Sequence, residues 1–327
     1  MSAALLEVRE LRVDFPQRRG GALRALDGVS FDIAPGEILG VVGESGAGKS
    51  LTGAAIIGLL DAPGRVSGGE ILLDGQRIDD LPPERMRRLR GRQIGAIFQD
   101  PLSSLNPLYT VGRQLVETLR THLPLTRAQA RERAIDLLRQ TGIPAPEARL
   151  DQYPHEFSGG MRQRVVIALA LAGEPRLIIA DEPTTALDVA VQAQIMALLR
   201  KVSQAHGAAV MLITHDMGVI AETCDRVAVM YAGRVVEIGP VREVIHRPAH
   251  PYTAGLMASV PRLDGAVGRL AQIEGALPRL DAIPPGCAFH PRCPKASLRC
   301  EVERPEPALV RRTRAACWWP LDDRAIA

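Results

Sequence analysis

The sequence has few aromatic residues, little net charge and no long apolar run, and each shortage narrows what the chain can be. Aromatic residues make up only 3% of its 327 residues. Its 40 basic and 37 acidic side chains leave a formal net charge of +3, which argues against an electrostatic nucleic-acid footprint. No apolar run approaches the roughly 20 residues that a membrane helix requires. We therefore expect a globular chain whose association with any membrane goes through a partner.

Cysteine is scarce in the main body of the chain and concentrated near its end. The first residues lack a basic segment followed by an apolar one, so we expect no signal peptide and a cytosolic chain. Structural disulfides are disfavoured in the cytosol. Apart from Cys224, the cysteines form one local group of four, which points to a metal or a cluster. These four are Cys287, Cys293, Cys300 and Cys317.

The hydrophobic pattern predicts an α/β fold, and the length alone suggests about two domains. Strands that alternate with helices predict a mainly parallel sheet, whose ligands bind at the carboxyl ends of the strands. Residues 5–33 predict antiparallel strands, and residues 100–165 predict a mostly helical subdomain. Beyond about Val241, proline becomes frequent and periodicity fades. We therefore expect one domain over residues 1–240 and a separate, loop-rich extension over residues 241–327.

The rest of the sequence is organised around one glycine-rich stretch that fits the phosphate-loop pattern G-x-x-x-x-G-K-[ST]. An apolar run before it predicts a strand, and residues 51–60 after it predict a helix. Glycines let successive backbone N–H groups turn inward, and the helix N-terminus adds a partial positive charge. Lys49 would bind the β- and γ-phosphates of a nucleotide, and Ser50 would ligate Mg²⁺. The alternative is a glycine-rich turn without a ligand. The stretch is Gly43, Glu44, Ser45, Gly46, Ala47, Gly48, Lys49 and Ser50.

Two adjacent carboxylates, Asp181 and Glu182, follow a buried apolar run and predict a metal ligand beside a general base. Adjacent residues of an extended chain point to opposite sides. We therefore assign Asp181 to the Mg²⁺ shell and Glu182 to the attacking water. The alternative is an ordinary strand end whose carboxylates cap the next helix.

A second anion-binding turn is predicted at Ser158, Gly159 and Gly160, which precede an apolar helical pattern. Two phosphate-binding turns in one chain suggest that the second serves a nucleotide held mainly by another copy. The alternative is a plain helix cap with flexible glycines.

In their order along the chain, these motifs resemble those of the ATP-binding subunit of ABC transporters. Gly43–Ser50 resembles Walker A, and Leu177–Glu182 resembles Walker B with its catalytic glutamate. Residues 157–161 resemble the signature motif, usually Leu-Ser-Gly-Gly-Gln, with Phe157 and Met161 replacing its first and last residues. The resemblance extends over roughly residues 5–240, and six motifs in family order, counting the three isolated residues below, make a chance match negligible.

The same resemblance implies roles for isolated residues. Gln99 resembles the Q-loop glutamine, which touches Mg²⁺ or the water and reports the nucleotide state to the membrane partner. Ala186-Leu187-Asp188 resembles the D-loop with its aspartate, and His215 resembles the switch histidine that bonds the γ-phosphate and the catalytic glutamate. A histidine after an apolar strand is otherwise more often structural. Phe15 is the candidate for the aromatic residue that contacts adenine, and core packing is its alternative role.

The extension resembles the C-terminal region of oligopeptide/dipeptide transporter ATPases. The resemblance rests on His250-Pro251-Tyr252-Thr253 and on residues 285–294. In that subfamily, cysteines at this spacing can hold a 4Fe–4S cluster, and ligation by four thiolates is chemically reasonable. Tetrahedral Zn²⁺ and unligated thiols remain alternatives. Trp318 and Trp319 are expected to pack over the site.

The resemblance implies an ABC-type nucleotide-binding domain with a mainly parallel core sheet, an antiparallel β subdomain and a helical subdomain. It implies an ATPase, using ATP and Mg²⁺, that energises peptide import at the cytoplasmic face of the membrane. The implied partners are a second ATPase subunit, two transmembrane permease subunits and, indirectly, an extracytoplasmic solute-binding protein. An importer of nickel or another small solute is the alternative. A soluble ABC ATPase acting on nucleic acid or the ribosome is disfavoured, because the chain has no coiled-coil insertion, tandem ATPase or basic stripe. A nucleotide-gated assembly factor is a third possibility.

Overall fold

The computed structural model describes residues 4–17, 20–184, 188–259 and 272–321, without the side chains of Leu102 and Val202. The strands, in chain order, are β1 (Leu6–Pro16), β2 (Ala22–Ile33), β3 (Ile38–Val42), β4 (Arg65–Leu73), β5 (Gln76–Arg77), β6 (Ile94–Ile97), β7 (Leu177–Asp181), β8 (Ala209–Ile213), β9 (Arg226–Tyr231), β10 (Arg234–Pro240), β11 (Ala308–Val310) and β12 (Thr313–Ala315). The helices are α1 (Lys49–Ile56), α2 (Pro83–Leu89), α3 (Pro101–Ser104), α4 (Val111–His122), α5 (Arg127–Gln140), α6 (Pro146–Arg149), α7 (Gly159–Leu171), α8 (Val189–His206), α9 (Met217–Thr223), α10 (Val241–His246), α11 (Pro251–Ala258) and α12 (Leu298–Val302).

The described residues form two compact units. The first contains those within Met1–Leu5, Ile33–Ile38 and Asp80–Leu212. In it, strands β8, β7 and β6 lie side by side, and β6 runs parallel to β7. Apart from Asp181 at the end of β7, their residues are apolar and almost entirely buried, as expected for parallel strands covered on both faces.

Helices dominate the region of this unit for which the sequence predicts a helical subdomain. The side chain of Thr126 caps α5 in a capping box with Gln129. Helix α8 begins after the cap residue Asp188 and ends at Gly207, whose φ of 64° is typical of a helix C-cap. The apolar spacing of α4 and α5 buries Leu115 and Leu137.

The second unit contains the described residues within Leu6–Asp32, Leu39–Asp79 and Ile213–Ala327. One of its sheets has the order β2-β1-β4-β5, and β1 pairs antiparallel with β4. Strands β4 and β5 form a hairpin around Asp74 and Gly75, which both have positive φ. An Asp-Gly pair after an apolar run predicts a strand that ends in a turn, and the structure confirms this turn with the backbone that it requires.

The other sheet of this unit contains the neighbouring strands β11-β12-β10-β9-β3. Strand β3 runs parallel to β9, while β9 and β10 form an antiparallel hairpin. The two apolar runs on either side of Ala232-Gly233-Arg234 predict this hairpin from the sequence. Strand β12 pairs with β10, joining Glu237 to Ala315 and Ile238 to Arg314. The extension therefore continues the sheet of its own unit, whereas the sequence predicts a separate appendage. Strands β11 and β12 span three residues each, too few to show a period-two pattern.

In the parts of the chain that the structure describes, no helix combines the length and the apolar character that crossing a membrane would require.

Candidate functional site: a phosphate loop and its surroundings

The glycine-rich stretch forms a tight loop between β3 and α1. All five residues of β3 are buried, and α1 begins at Lys49. Gly43 has a φ of 150°, and a Cβ on it would clash with the carbonyl of Met230. Gly48 caps the helix with a φ of 103°. The loop therefore needs glycine at these two positions. The helix ends at Ile56, earlier than the predicted Leu60.

Lys49 lies inside the curve of this loop. Its side chain is buried, and its Nζ donates to the carbonyls of Gly43 at 2.9 Å and Glu44 at 3.0 Å. Gly233, in the β9–β10 turn, donates its N–H to the carbonyl of Ala47 at 2.9 Å. A buried ammonium group beside a helix N-terminus is an arrangement that attracts an anion. Ser50, the next residue, is exposed in the first turn of α1.

The two adjacent carboxylates end strand β7 in the first unit. Asp181 is the last residue of the strand, and Glu182 has a φ of 45°. The expectation that both residues belong to one extended segment is therefore wrong at Glu182. Left-handed backbone is uncommon outside glycine and is often found at functional sites. Gln99 donates from Nε2 to Oε2 of Glu182 at 3.0 Å, so the structure brings these two predicted residues together.

The second predicted turn begins a helix, as expected. Ser158 is the cap residue of α7, and its Oγ accepts the N–H of Met161 at 3.4 Å. The residue before it, Phe157, is buried, with 2% of its surface exposed. Gly160 faces α8, since a Cβ on it would lie 2.8 Å from Cγ1 of Val191. Gly159 is the first residue of the helix.

Asp188, the predicted D-loop residue, caps helix α8. Its Oδ1 accepts the N–H of Val191 at 2.9 Å. Ala186 and Leu187, the other residues of that motif, lie outside the described residues.

The last two predicted residues lie in the second unit. His215 is exposed between β8 and α9, and Asp216 after it caps α9 by accepting the N–H groups of Gly218 and Val219. Phe15 lies near the end of β1 and is half-buried. Its ring packs against Gly64, where a Cβ would lie 2.7 Å from Cε1. This contact gives Phe15 a packing role of its own.

The sequence does not predict two residues of the extension that contact the phosphate loop. The hydroxyl of Tyr252 accepts the N–H of Glu44 at 2.9 Å. Arg292 donates from Nη1 to both carboxylate oxygens of Glu44, at 2.9 and 3.1 Å. Tyr252 and Arg292 lie in the stretches that carry the subfamily resemblance, but nothing in their spacing points to a partner about 200 residues away.

The four clustered cysteines line one small cavity together with Trp318 and Trp319. No disulfide joins them in the described part of the chain. Burial raises the pKa of the Cys287, Cys293 and Cys317 thiols, and the pKa of Cys317 reaches about 12. The four thiols are Cys287, Cys293, Cys300 and Cys317.

The thiols that line this cavity are suitable ligands for a thiophilic metal, but the space between them is small. The cavity measures about 10 Å³, room for about one water molecule. Within the described residues, no three Cys, His, Asp or Glu side chains are arranged to hold a metal ion. The expected packing of Trp318 and Trp319 at the site is confirmed.

Comparison with known families identifies both parts of the chain. The family described as ABC transporter matches residues 26–185, and the family described as oligopeptide/dipeptide transporter, C-terminal region, matches residues 236–300. The dipeptide transport ATP-binding protein DppD of Escherichia coli is 46% identical over 98% of each chain. The chain belongs to the ABC transporter family. Its oligopeptide/dipeptide-type C-terminal region confirms the resemblance of the extension.

Further relatives and solved structures agree with this assignment. The oligopeptide transport ATP-binding protein OppD of Salmonella typhimurium is 47% identical, over 98% of this chain and 95% of its own. A dimeric ATP-binding cassette solved in a post-hydrolysis state with ADP and Pi is 29% identical. It superposes with a TM-score of 0.65 over 72% of this chain and 99% of its own. The cbiO1 protein of Clostridium perfringens is 32% identical with the same TM-score, over 75% of this chain and 91% of its own. The predicted ABC-type nucleotide-binding fold is thus confirmed.

Proposed function

We propose that this ABC ATPase hydrolyses ATP to energise the import of peptides across the cytoplasmic membrane. The observation that carries the ATPase part is the buried Lys49 at the N-terminus of α1, within a loop that glycine alone can form. The peptide part is supported by relatives named for dipeptide and oligopeptide transport, which match the chain over nearly its whole length.

Residues 43–50 bind the phosphates of ATP in this proposal. Backbone N–H groups of the loop point at phosphate oxygens, and Lys49 leaves the carbonyls of Gly43 and Glu44 to bind the β- and γ-phosphates. Ser50, Gln99 and Asp181 would hold Mg²⁺, because hydroxyl, amide and carboxylate oxygens are the ligands it prefers. The ion would supply positive charge to the phosphate oxygens.

Glu182 acts as the general base for hydrolysis. Its carboxylate takes a proton from water as the water oxygen bonds to the γ-phosphorus and the bond to the β-γ bridging oxygen breaks, releasing ADP and phosphate. Gln99 orients the carboxylate through the bond to Oε2. His215 donates a hydrogen bond to the γ-phosphate and helps to orient Glu182.

The second ATPase subunit completes each nucleotide site. Ser158, Gly159, Gly160 and Asp188 act on ATP held mainly by the other subunit, since α7 offers a second helix N-terminus to phosphate. ATP binds the closed pair more tightly than the open pair, and this difference in affinity moves two permease subunits. Residues 100–165 contact those permeases, and the assembly sits peripherally at the cytoplasmic face of the membrane. Phe15 contacts the adenine.

Reconstitution tests this proposal. The full-length chain, its partner ATPase and both permeases are placed in vesicles with a solute-binding protein outside. We expect ATP hydrolysis to rise when the binding protein carries peptide, and Glu182→Gln to lower turnover about a hundred-fold while ATP binding persists. Stimulation by nickel or another small solute instead of peptide would contradict the substrate, and near-normal turnover of Glu182→Gln would contradict the general base.

We also propose that Cys287, Cys293, Cys300 and Cys317 hold a 4Fe–4S cluster. Support comes from their convergence on one cavity whose walls include two tryptophans. A bound cluster would take all four side chains as thiolates, and it would replace the neutral thiol form that burial favours at Cys287, Cys293 and Cys317. The cluster would stabilise an extension that has a small core.

Metal analysis of anaerobically purified protein tests the cluster. We expect about four iron and four sulfide per chain with a broad visible absorbance band. Cys293→Ser should lose the iron, the sulfide and the absorbance band. Cys224→Ser changes a buried thiol that lies outside the group of four in the sequence, and this variant should keep all three. Stoichiometric zinc, or protein free of metal, would contradict the cluster.

A further inference from the structure

Arg292 of the extension is a buried cation whose donors are all engaged. Its side chain is 7% exposed. Nη1 donates to the Glu44 carboxylate and, at 3.4 Å, to the hydroxyl of Tyr231. Nε and Nη2 donate to three consecutive carbonyls. Only a planar guanidinium can serve this many acceptors in fixed directions. The carbonyls belong to Ile273, Glu274 and Gly275.

The contacts of Arg292 with Glu44 and with the three carbonyls both bear on the phosphate loop. Glu44 is the second residue of that loop, and its N–H is fixed by Tyr252. The segment that Arg292 fixes through its carbonyl bonds leads to Leu277, whose Cδ2 lies 3.3 Å from where a Cβ on Gly46 would be. The extension therefore binds the loop at Glu44 and lies close to it at Gly46.

The charge of Glu44 gives this arrangement a functional consequence. A carboxylate within a loop that receives a triphosphate repels the ligand, because both carry negative charge. Arg292 neutralises that charge through two hydrogen bonds to one carboxylate. The Tyr252 hydroxyl accepts the N–H of Glu44, so this N–H is occupied and phosphate must bind other N–H groups of the loop.

We propose that Arg292, assisted by Tyr252, is a positioning residue through which the C-terminal extension sets the affinity of the phosphate loop for nucleotide. The inference rests on the proposed binding of ATP by residues 43–50. Arg292 is the residue next to Cys293, one of the four clustered cysteines.

The test measures nucleotide affinity of the full-length protein by titration calorimetry. Arg292→Met keeps an apolar stem and removes the charge. We expect its Kd for ATP to rise on the order of ten-fold, with a smaller rise for ADP and the smallest for AMP, because repulsion grows with the number of phosphates. Adding Glu44→Gln to Arg292→Met should restore most of the affinity for ATP, since the repelling charge is then gone.

Arg279→Met is the matched control. It removes an arginine from the same extension, but that side chain is 86% exposed and pairs only with Asp281 among the described residues. Its affinity for all three nucleotides should equal that of the unaltered protein. Glu44→Gln alone, which keeps Arg292, should bind ATP at least as tightly as the unaltered chain. This variant tests the positioning role if Arg292→Met does not fold.

The outcomes separate this inference from the proposed function. An equal loss for the three nucleotides, no loss at all, no recovery on adding Glu44→Gln, or weaker ATP binding by Glu44→Gln alone would overturn the positioning role. Lys49→Ala is measured beside these variants. If it leaves ATP affinity unchanged, the assignment of the phosphate loop fails; if it weakens binding while Arg292→Met does not, only the role of Arg292 fails.

Discussion

At the scale of single residues, the buried side chain of His250 helps to fix the structure of the extension around Tyr252. His250 is 1% exposed, and its Nδ1 accepts the N–H of Tyr252 at 3.0 Å. Accepting this bond requires an unprotonated Nδ1, and burial lowers the pKa of His250 to about 4. The same segment is tied to β10, because Glu237 accepts the N–H groups of Ala249 and His250. Neutral His250 thus belongs to the structure that places Tyr252 against the phosphate loop.

Acid should destabilise the protein through His250. A pKa lowered from about 6.5 to about 4 gives stability that is present above pH 6.5 and is lost as the pH falls toward 4. The loss over this range is about 3 kcal/mol in the free energy of unfolding. Urea titrations at several pH values should show that His250→Asn flattens this dependence. His206→Asn, at an exposed position, should leave it unchanged; an equal slope in all three proteins would contradict the assignment.

At the scale of elements, local capping determines where several helices begin. In α5, the Thr126 hydroxyl oxygen accepts the N–H of Gln129, and the Gln129 side chain accepts the N–H of Thr126. The box satisfies two N–H groups that have no partner within the helix. Helix α5 packs against α4, so its first turn helps to position the helical region.

Removing the Thr126 cap should lower the free energy of unfolding. Thr126→Ala deletes the oxygen that accepts the N–H of Gln129, and we expect about 1 kcal/mol less free energy of unfolding in urea. Thr121→Ala is the control, because that hydroxyl only donates to the carbonyl of Glu117 within α4. A loss no larger than that of the control would show that the cap contributes nothing.

Elements with a strong local signal could be predicted from the sequence, and those held by distant contacts could not. The Asp74-Gly75 turn, the strand before the phosphate loop and the glycine that ends α8 are dictated by nearby residues. Strand β12 exists because β10 offers it a partner, and three residues carry no pattern of their own. The positive φ of Glu182 also has no local signal, since the sequence around it is that of an ordinary strand end.

At the scale of the whole molecule, the sequence identifies the chemistry of the ATP site but not what surrounds it. Motifs in family order predict an ABC ATPase, which the relatives confirm. The link between the extension and the phosphate loop depends on Glu44, Tyr252 and Arg292, which meet only in the folded chain. Long-range contacts of this kind require the structure.

The central claim is that residues 43–50 bind the triphosphate of ATP and that Glu182 activates the water that hydrolyses it. A crystal structure of full-length Glu182→Gln with ATP and Mg²⁺ tests it most directly, because the slowed enzyme keeps the nucleotide intact. We predict triphosphate density over the N–H groups of the loop, with Lys49 Nζ moved from the carbonyls of Gly43 and Glu44 to phosphate oxygens. Density for the triphosphate anywhere else, with Lys49 still on those carbonyls, would contradict the account.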